Sequence, residues 1–221
     1  MGAHAGYRWA DASFSGPGFT VQGLGSAAVF PALNASFRSN GGLIGVQAGL
    51  NFMISPSVLA GVEGDWSWAS AKGSIASTVS AALADGLVFR SQSASELTLT
   101  WQATIRGRLG VVNGPWLFYG TAGVAFINAK WSETAILTLD GLVDPLATAA
   151  WTDRKTLTGF GVGVGIEYMY AANWIGRIEY LYENFGDFSV RHNFDFAPHI
   201  GKLDIGDVHK LRVAISYKFS P

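Results

Sequence analysis

Hydrophobic and polar residues alternate one by one along several stretches of this chain. The clearest example is the stretch from residue 98 to residue 109. Its apolar face carries Leu99, Trp101, Ala103, Ile105 and Leu109, and its polar face carries Thr98, Thr100, Gln102, Thr104, Arg106 and Arg108. Because successive side chains of a strand point to opposite faces, this stretch predicts a β-strand that lies between an apolar and a polar environment.

The same alternation recurs elsewhere and places charged residues on the polar face. Residues 59–68 carry Glu63 and Asp65 on that face, and residues 210–219 carry Arg212. The apolar faces have aromatic residues near the strand ends and small or aliphatic residues between them, which is typical of a lipid-facing band with aromatic girdles. We therefore expect the apolar faces to point outward and the charged faces inward. The alternative is a soluble barrel or sandwich with the two faces reversed.

The composition favours the membrane interpretation. Charged residues make up 14% of the 221 residues and the mean hydropathy is +0.24, yet no apolar run reaches the roughly 18 residues that a spanning helix requires. A net charge of −1 gives no electrostatic basis for binding nucleic acid, and the lack of Cys excludes disulfides and thiolate metal sites. His4 and His209 have no suitable partner ligands nearby, so we expect no metal and no cofactor.

Eight strands can be placed, at about residues 3–11, 41–53, 57–70, 96–112, 115–129, 156–171, 173–186 and 207–219. Short connections at 54–56, 113–114 and 172 alternate with long connections at 12–40, 71–95, 130–155 and 187–206. Since the strand count is even, both termini fall at the end with the tight turns. We predict one domain over residues 1–221, an all-β, eight-stranded, antiparallel, up-and-down transmembrane β-barrel in a bacterial outer membrane. Its termini would be periplasmic and its long loops extracellular, and the chain would be a mature form without a secretion signal.

Charged residues on the inward faces should pair with one another. An eight-stranded barrel is just wide enough inside to be filled by side chains, and an unpaired charge there costs several kcal/mol. The predicted lumen ion-pair network consists of Glu63, Asp65, Arg106, Arg108, Glu167, Arg177, Glu179, Glu183 and Arg212. Gln47, Asn51, Gln102 and Lys218 are expected to lie beside it. We expect no open pore, although such carboxylates and arginines also build acid/base and selectivity sites.

Several of these strands also carry motifs of a known family. The motifs are GLIGVQAG at 42–49, LAGVEGD at 59–65, IRGRLG at 105–110, YGTAGVA at 119–125, GVGIEY at 163–168 and RIEYLY at 177–182. In this order and spacing the chain resembles the alphaproteobacterial Omp25/Omp31-like outer-membrane β-barrel proteins. The resemblance covers every strand except the first, where it is weak. It implies an OmpA/OmpX-like barrel that is abundant and largely structural, with surface-exposed loops, and some relatives are described as binding haemin.

The last long connection contains residues that could hold a ligand. His192 and His199 lie among aromatic residues, which makes these two histidines candidate haem ligands. His192 with Asp187, Ser189 and Asp195 also offers the residue types of a hydrolase. Loop histidines are more often simply polar surface, and nothing in the spacing singles out a catalytic set. We therefore expect no catalytic residues and no enzyme activity.

The second and third long connections are unexpectedly apolar. Ile75 and Val79 lie in the second connection, and Ile136, Leu137 and Trp151 lie in the third. Three explanations are open: hairpins that extend above the membrane, a surface for a protein or lipid partner, or self-association; alternation over residues 135–139 favours hairpins. The function we expect is a structural envelope barrel in contact with outer-membrane lipid and lipopolysaccharide. The alternative is a surface receptor for haemin or for another envelope or host partner.

Overall fold

The computed structural model describes residues 1–23, 26–82, 86–139, 142–194 and 197–219. Within these ranges the regular structure consists of β-strands. They are β1 (Gly2–Gly16), β2 (Phe19–Gly23), β3 (Ser26–Phe30), β4 (Leu33–Ser55), β5 (Val58–Ala82), β6 (Val88–Asn113), β7 (Trp116–Leu139), β8 (Leu142–Ala171), β9 (Trp174–Asn184), β10 (Asp187–Phe194), β11 (Ala197–Asp204) and β12 (Asp207–Tyr217). The described residues contain no helix that is long and apolar enough to cross a membrane.

Eight of the strands close into a ring. Around the ring the order is β1, β12, β9, β8, β7, β6, β5 and β4, and β4 pairs with β1 to complete it. Every pairing is antiparallel. The predicted eight-stranded barrel is therefore confirmed, and each strand of the ring is paired with a neighbour on both sides.

Tight connections and both chain ends lie together at one end of the ring, which we call the turn end. The Gly114 backbone has φ of 58°, which suits the sharp turn between β6 and β7. The Met1 amino group donates a hydrogen bond to the Tyr217 carbonyl at 3.0 Å, and the Tyr217 N–H donates to the Met1 carbonyl at 2.8 Å. The first and last strands are thus tied at this end.

The opposite end, which we call the hairpin end, is built from strands where we expected long loops. β5 and β6 stay paired as far as Ala82 and Val88, and β7 and β8 stay paired as far as Leu139 and Leu142. Two further hairpins are formed by β2 with β3 and by β10 with β11. The loop boundaries at 71–95 and 130–155 were therefore wrong, because most of both segments forms extended hairpins. A partner surface or self-association at these hairpins stays a prediction.

Outward-facing side chains form an apolar band between two aromatic girdles. The girdle at the turn end comprises Phe52, Trp116, Tyr168, Tyr170, Trp174, Tyr217 and Phe219. The girdle at the hairpin end comprises Tyr7, Trp9, Trp66, Trp68, Phe160 and Tyr180. On β8 the stretch from Phe160 to Tyr170 connects the girdles, which matches the roughly 9–11 residues of a tilted membrane-spanning strand. We call this stretch of the barrel the membrane band.

A β-bulge in β6 reverses the two faces predicted for the upper part of that strand. The pairing with β7 shifts by one residue between Leu99 and Gln102. Leu99 is fully buried in the interior, whereas Thr100 is exposed. The prediction that Leu99 shares the outer face with Ile105, and that Thr98 and Thr100 face inward, was wrong. An extra residue in one strand moves every side chain beyond it to the other face.

Beyond this bulge a cluster of apolar side chains fills much of the barrel interior. The apolar core lies toward the hairpin end and comprises Ala10, Ala12, Phe14, Ala71, Leu97, Leu99, Ala125, Ile127, Ala129, Trp131, Leu157, Phe185, Leu203, Ile205 and Val208. The ring of Trp131 stacks on that of Phe14 with centroids 5.5 Å apart, and Ile75 packs against the core. Ile75 of the expected second loop and Trp131 of the expected third loop thus pack into the interior of the extended barrel.

Two glycines on β7 provide a test of this tight interior packing. A Cβ at Gly123 would overlap the Ile105 carbonyl oxygen and lie 2.6 Å from the Arg106 Cα. A Cβ at Gly120 would face outward, with its nearest atom, the Gly163 carbonyl oxygen, at 3.9 Å. We expect Gly123→Ala to lower the free energy of unfolding by about 1–3 kcal/mol, because backbone atoms must move.

The matched control is Gly120→Ala, which should change the unfolding free energy by less than about 0.5 kcal/mol. Urea unfolding in lipid vesicles, followed by tryptophan fluorescence, measures both variants. Equal effects of the two substitutions would contradict the packing described.

Candidate functional site

Charged side chains fill the barrel interior within the membrane band. Alternation along five strands directs them inward, and their burial is nearly complete: Arg106 and Glu179 are each 1% exposed. We define the charge network as the carboxylates of Glu63, Asp65, Glu167 and Glu179 with the guanidinium groups of Arg106, Arg108, Arg177 and Arg212. Four negative groups thus face four positive groups, so the network is neutral as a whole.

Arg177 on β9 and Glu63 on β5 make the contact that spans the barrel. These two strands stand on opposite sides of the ring. Arg177 Nη1 donates to Glu63 Oε1 and Arg177 Nη2 donates to Glu63 Oε2, both at 2.6 Å. Such a two-pronged contact between arginine and carboxylate is among the strongest and most directional in proteins. It joins opposite walls through the middle of the interior.

Arg106 extends the network from β6 to three carboxylates. Its Nη2 atom lies 3.2 Å from Glu63 Oε1 and 3.0 Å from Asp65 Oδ2. Its Nη1 atom donates to Glu179 Oε1 at 3.1 Å, and its Nε atom donates to the Thr104 hydroxyl at 2.9 Å. Because Glu179 lies on β9, Arg106 also links strands that are not neighbours in the ring.

Arg108 and Tyr119 complete the side of the network nearest the turn end. Arg108 Nη2 donates to Glu167 Oε1 at 2.7 Å, and Arg177 Nε donates to the same oxygen at 2.8 Å. The Arg108 guanidinium lies 4.2 Å from the centroid of the Tyr119 ring, a cation–π contact. The Tyr119 hydroxyl donates to Glu179 Oε1 at 2.8 Å. An aromatic ring therefore covers this side of the charges.

Arg212 on β12 completes the side nearest the hairpin end. Its Nε atom donates to Glu179 Oε2 at 2.6 Å, and its Nη1 atom lies 3.2 Å from Asp65 Oδ1. The Thr104 hydroxyl donates to Asp65 Oδ2 at 2.5 Å. Asp65 and Glu179 are each contacted by two arginines, which offsets the cost of burying their charge.

A second polar layer separates the charge network from the apolar core. Glu183 accepts hydrogen bonds from Lys210 and Gln102 and is fully buried. Arg8 is also fully buried, and its guanidinium nitrogens have no hydrogen-bond partner among the described residues. His4 Nε2 lies 2.8 Å from the Ser67 hydroxyl.

The structure thus brings all nine predicted residues of the ion-pair network into the interior, eight in the charge network and Glu183 beside it. The predicted set omitted Lys210, Arg8 and His4, although alternation with apolar neighbours was a usable signal for each. Gln47 and Gln102 are buried as expected. The inward prediction for Lys218 was wrong, because Lys218 follows the end of β12 and is exposed; Asn51 is also exposed, near the turn end.

The proposed ligand residues of the last long connection lie on the β10–β11 hairpin. His192 and His199 are direct partners in the strand register, but their side chains lie outside the described part of the structure, so haem binding stays a prediction. Of the hydrolase set, Asp187 and Ser189 are exposed and Asp195 lies outside the described residues. Within the described ranges, no cluster of His, Asp or Glu could hold a metal ion.

Removing one arginine from the charge network should destabilise the protein strongly. Arg106→Ala leaves parts of three buried carboxylates unpaired, and we expect a loss of about 3–5 kcal/mol in the free energy of unfolding. The matched control is Arg38→Ala, because Arg38 pairs with Asp11 at 3.3 Å while the two side chains are 80% and 83% exposed. That exposed pair should contribute less than about 1 kcal/mol.

Thermal and urea unfolding of both variants in vesicles measures the difference. Protease accessibility of the hairpin tips should stay unchanged, because the substitution lies in the membrane band. An unchanged stability of Arg106→Ala would contradict the account of the interior.

Comparison with known proteins gives a consistent picture. The family model described as "Outer membrane protein beta-barrel domain" matches residues 1–219. The 31 kDa outer-membrane immunogenic protein of Brucella melitensis is 34% identical over 181 residues, covering 81% of this chain and 67% of the relative. The 25 kDa outer-membrane immunogenic protein of Brucella abortus is 30% identical over 179 residues, covering 79% and 64%.

Among solved structures, the outer membrane protein OprG of Pseudomonas aeruginosa matches with a TM-score of 0.46 and 13% identity, covering 100% of this chain and 97% of OprG. The family match extends over nearly the whole chain, and the Brucella relatives share its sequence over most of it. The chain therefore belongs to the outer membrane protein β-barrel family and is an Omp25/Omp31-like protein of the Gram-negative outer membrane.

Proposed function

We propose that this protein is a structural component of the outer membrane whose barrel is plugged and conducts no ions. The observation that carries the proposal is the contact of Arg177 with Glu63, which joins opposite walls at 2.6 Å through the middle of the interior. A wide channel keeps its opposite walls apart with water between them. A barrel whose walls are joined in this way is expected to be rigid and closed rather than an open channel.

The charge network and the apolar core would oppose ion passage for different reasons. In the charge network, a passing ion would have to separate buried pairs, and leaving a buried charge without its partner costs about 3–5 kcal/mol. In the apolar core, the ion would meet residues such as Leu97, Leu99 and Trp131, which offer no ligand to replace its water. An ion crossing the barrel would meet both barriers one after the other, which supports the proposal that the interior is plugged.

The same bracing supports a mechanical role in the envelope. Ion pairs between non-neighbouring strands resist deformation of the ring, and the long hairpins extend the barrel beyond the membrane band. We place the hairpin end outside the cell and the termini in the periplasm, because outer-membrane barrels have short periplasmic turns and long extracellular loops. The hairpins would then be the surface that meets other envelope components or self-associates.

The absence of catalytic activity and the alternative receptor function both stay predictions. A receptor for haemin or for another envelope or host partner would depend on the hairpin end. Side chains of residues 191–200, which include both candidate histidines, lie outside the described part of the structure. We propose the structural role rather than the receptor function because the structural role depends on contacts between described residues.

Conductance in planar lipid bilayers tests the plugged interior. Folded wild-type protein should insert without discrete current steps above the bilayer leak. Gel mobility before and after boiling in SDS shows that the inserted sample is folded, since a closed barrel that resists SDS runs faster unboiled. Reproducible unitary steps from the folded band would contradict the proposal.

A further inference from the structure

A row of basic residues crosses the outer face of the barrel just above the hairpin-end girdle. Lys72 on β5 is the register partner of Thr98 on β6, Thr98 is the partner of Lys130 on β7, and Lys130 is the partner of Arg154 on β8. We call Lys72, Lys130 and Arg154 the basic row. Adjacent strands are about 4.8 Å apart, so the row spans roughly 15 Å.

Burial of the flanking positions shows that the basic row faces outward. Ala71, Ala129 and Trp131 are at most 1% exposed because they belong to the apolar core. The Lys72 side chain is 63% exposed and Arg154 is exposed, whereas Lys130 is partly covered. The side chains of the row therefore point away from the interior.

Lys130 and Arg154 form an unfavourable pair in the absence of an anion. Like charges directly opposite one another on antiparallel strands destabilise a sheet. Their outward neighbours on the same strands are neutral hydroxyl and amide side chains, namely Asn128, Ser132, Thr152 and Thr156. A binding partner of opposite charge would convert this repulsion into attraction.

Among the outward-facing residues that the structure describes, one carboxylate, Glu96 on β6, lies near the row; its direct contacts are with β5 and β6, and Lys130 also attracts it electrostatically. Glu96 accepts a hydrogen bond from the Thr98 hydroxyl at 2.9 Å and lies 3.4 Å from Lys72 Nζ. The Thr98 hydrogen bond, followed by the charge of Lys72, keeps the pKa of Glu96 below its usual range, so this group stays ionised at neutral pH. Three cations and one anion leave an excess of positive charge, concentrated at Lys130 and Arg154.

The outward-facing side chains change from aliphatic to aromatic and then to polar between the membrane band and the basic row. Aliphatic residues such as Ile105 are followed by Trp66 and Trp101, whose rings stack with centroids 4.5 Å apart. Next comes a hydrogen-bonded row in which the Thr100 hydroxyl donates to Asn128 Oδ1 at 2.9 Å and Asn128 Nδ2 donates to Thr156 at 3.3 Å. The basic row stands above these polar groups.

The apolar band, the polar row and the basic row follow the same order as the acyl chains, the polar linker and the anionic headgroup of a lipid. We propose that the basic row binds the phosphate of a phosphate-bearing lipid headgroup in the leaflet on the hairpin side. Lys130 and Arg154 supply the main charge, and Lys72 contributes from the far end of the row. The proposal rests on the proposed function only for the orientation, which makes this leaflet the outer one.

Lipid binding by the folded full-length chain in neutral detergent tests the site. The probes are lipid A with two phosphates and the same lipid A with its phosphates removed, and native mass spectrometry counts bound lipid. Near a membrane surface each Lys or Arg strengthens the binding of an anionic lipid by roughly fivefold. We therefore expect the triple variant Lys72→Gln, Lys130→Gln, Arg154→Gln to bind phosphorylated lipid A roughly a hundredfold more weakly.

A charge-matched control is Arg90→Gln, Lys202→Gln, Lys218→Gln, because these residues are exposed and lie elsewhere on the barrel. The control should bind phosphorylated lipid A within about threefold of wild type. Gel mobility in SDS before boiling checks that both triple variants are folded.

Two results would overturn the site: equal binding of both forms of lipid A, or equal weakening by the two triple variants. Displacement of the lipid by inorganic phosphate at the lipid's own concentration would also overturn it, because the site would then be one for free phosphate. The assay depends neither on conductance nor on orientation. A failure of the lipid-binding test therefore does not contradict the proposed function. Likewise, ion conduction by the barrel would not contradict the lipid site.

Discussion

The salt bridge between Arg177 and Glu63 is the contact around which the barrel interior is organised. Opposite walls of an eight-stranded ring are close enough for one arginine and one glutamate to meet across it. A charge buried there needs a partner of opposite charge. A buried carboxylate also needs hydrogen-bond donors for each of its oxygens. Arg106, Arg108 and Arg212 meet this need, and the result is a neutral set of four carboxylates and four guanidinium groups.

The layering along the barrel axis follows from the same constraint. Within the membrane band the outer face contacts lipid and is apolar, so the charges of this region lie inside, where they can pair. Beyond the hairpin-end girdle the outer face is polar and carries the basic row, and apolar residues such as Leu97 and Trp131 move to the interior. The bulge at residues 99–102 of β6 lies where this polarity reverses.

Much of the fold could be predicted from the sequence, because strict alternation assigns faces and Gly, Pro and Asn mark turns. The same alternation directed Glu63, Arg106 and Arg177 inward. It could not show which of them meet across the ring, since that depends on ring closure and register. The bulge was invisible because Leu97, Leu99 and Trp101 alternate without a break. The hairpins were mistaken for loops because their interior is apolar rather than charged.

The most direct test of this account is a double-mutant cycle on the cross-barrel pair. The free energy of unfolding in lipid vesicles is measured for wild type, Glu63→Gln, Arg177→Gln and the double variant. A salt bridge across the interior predicts a coupling free energy of about 2 kcal/mol or more, because each single substitution leaves the buried network with a net charge and the double substitution restores its neutrality. Additivity within about 0.5 kcal/mol would contradict the account, since it would mean that the two walls do not interact.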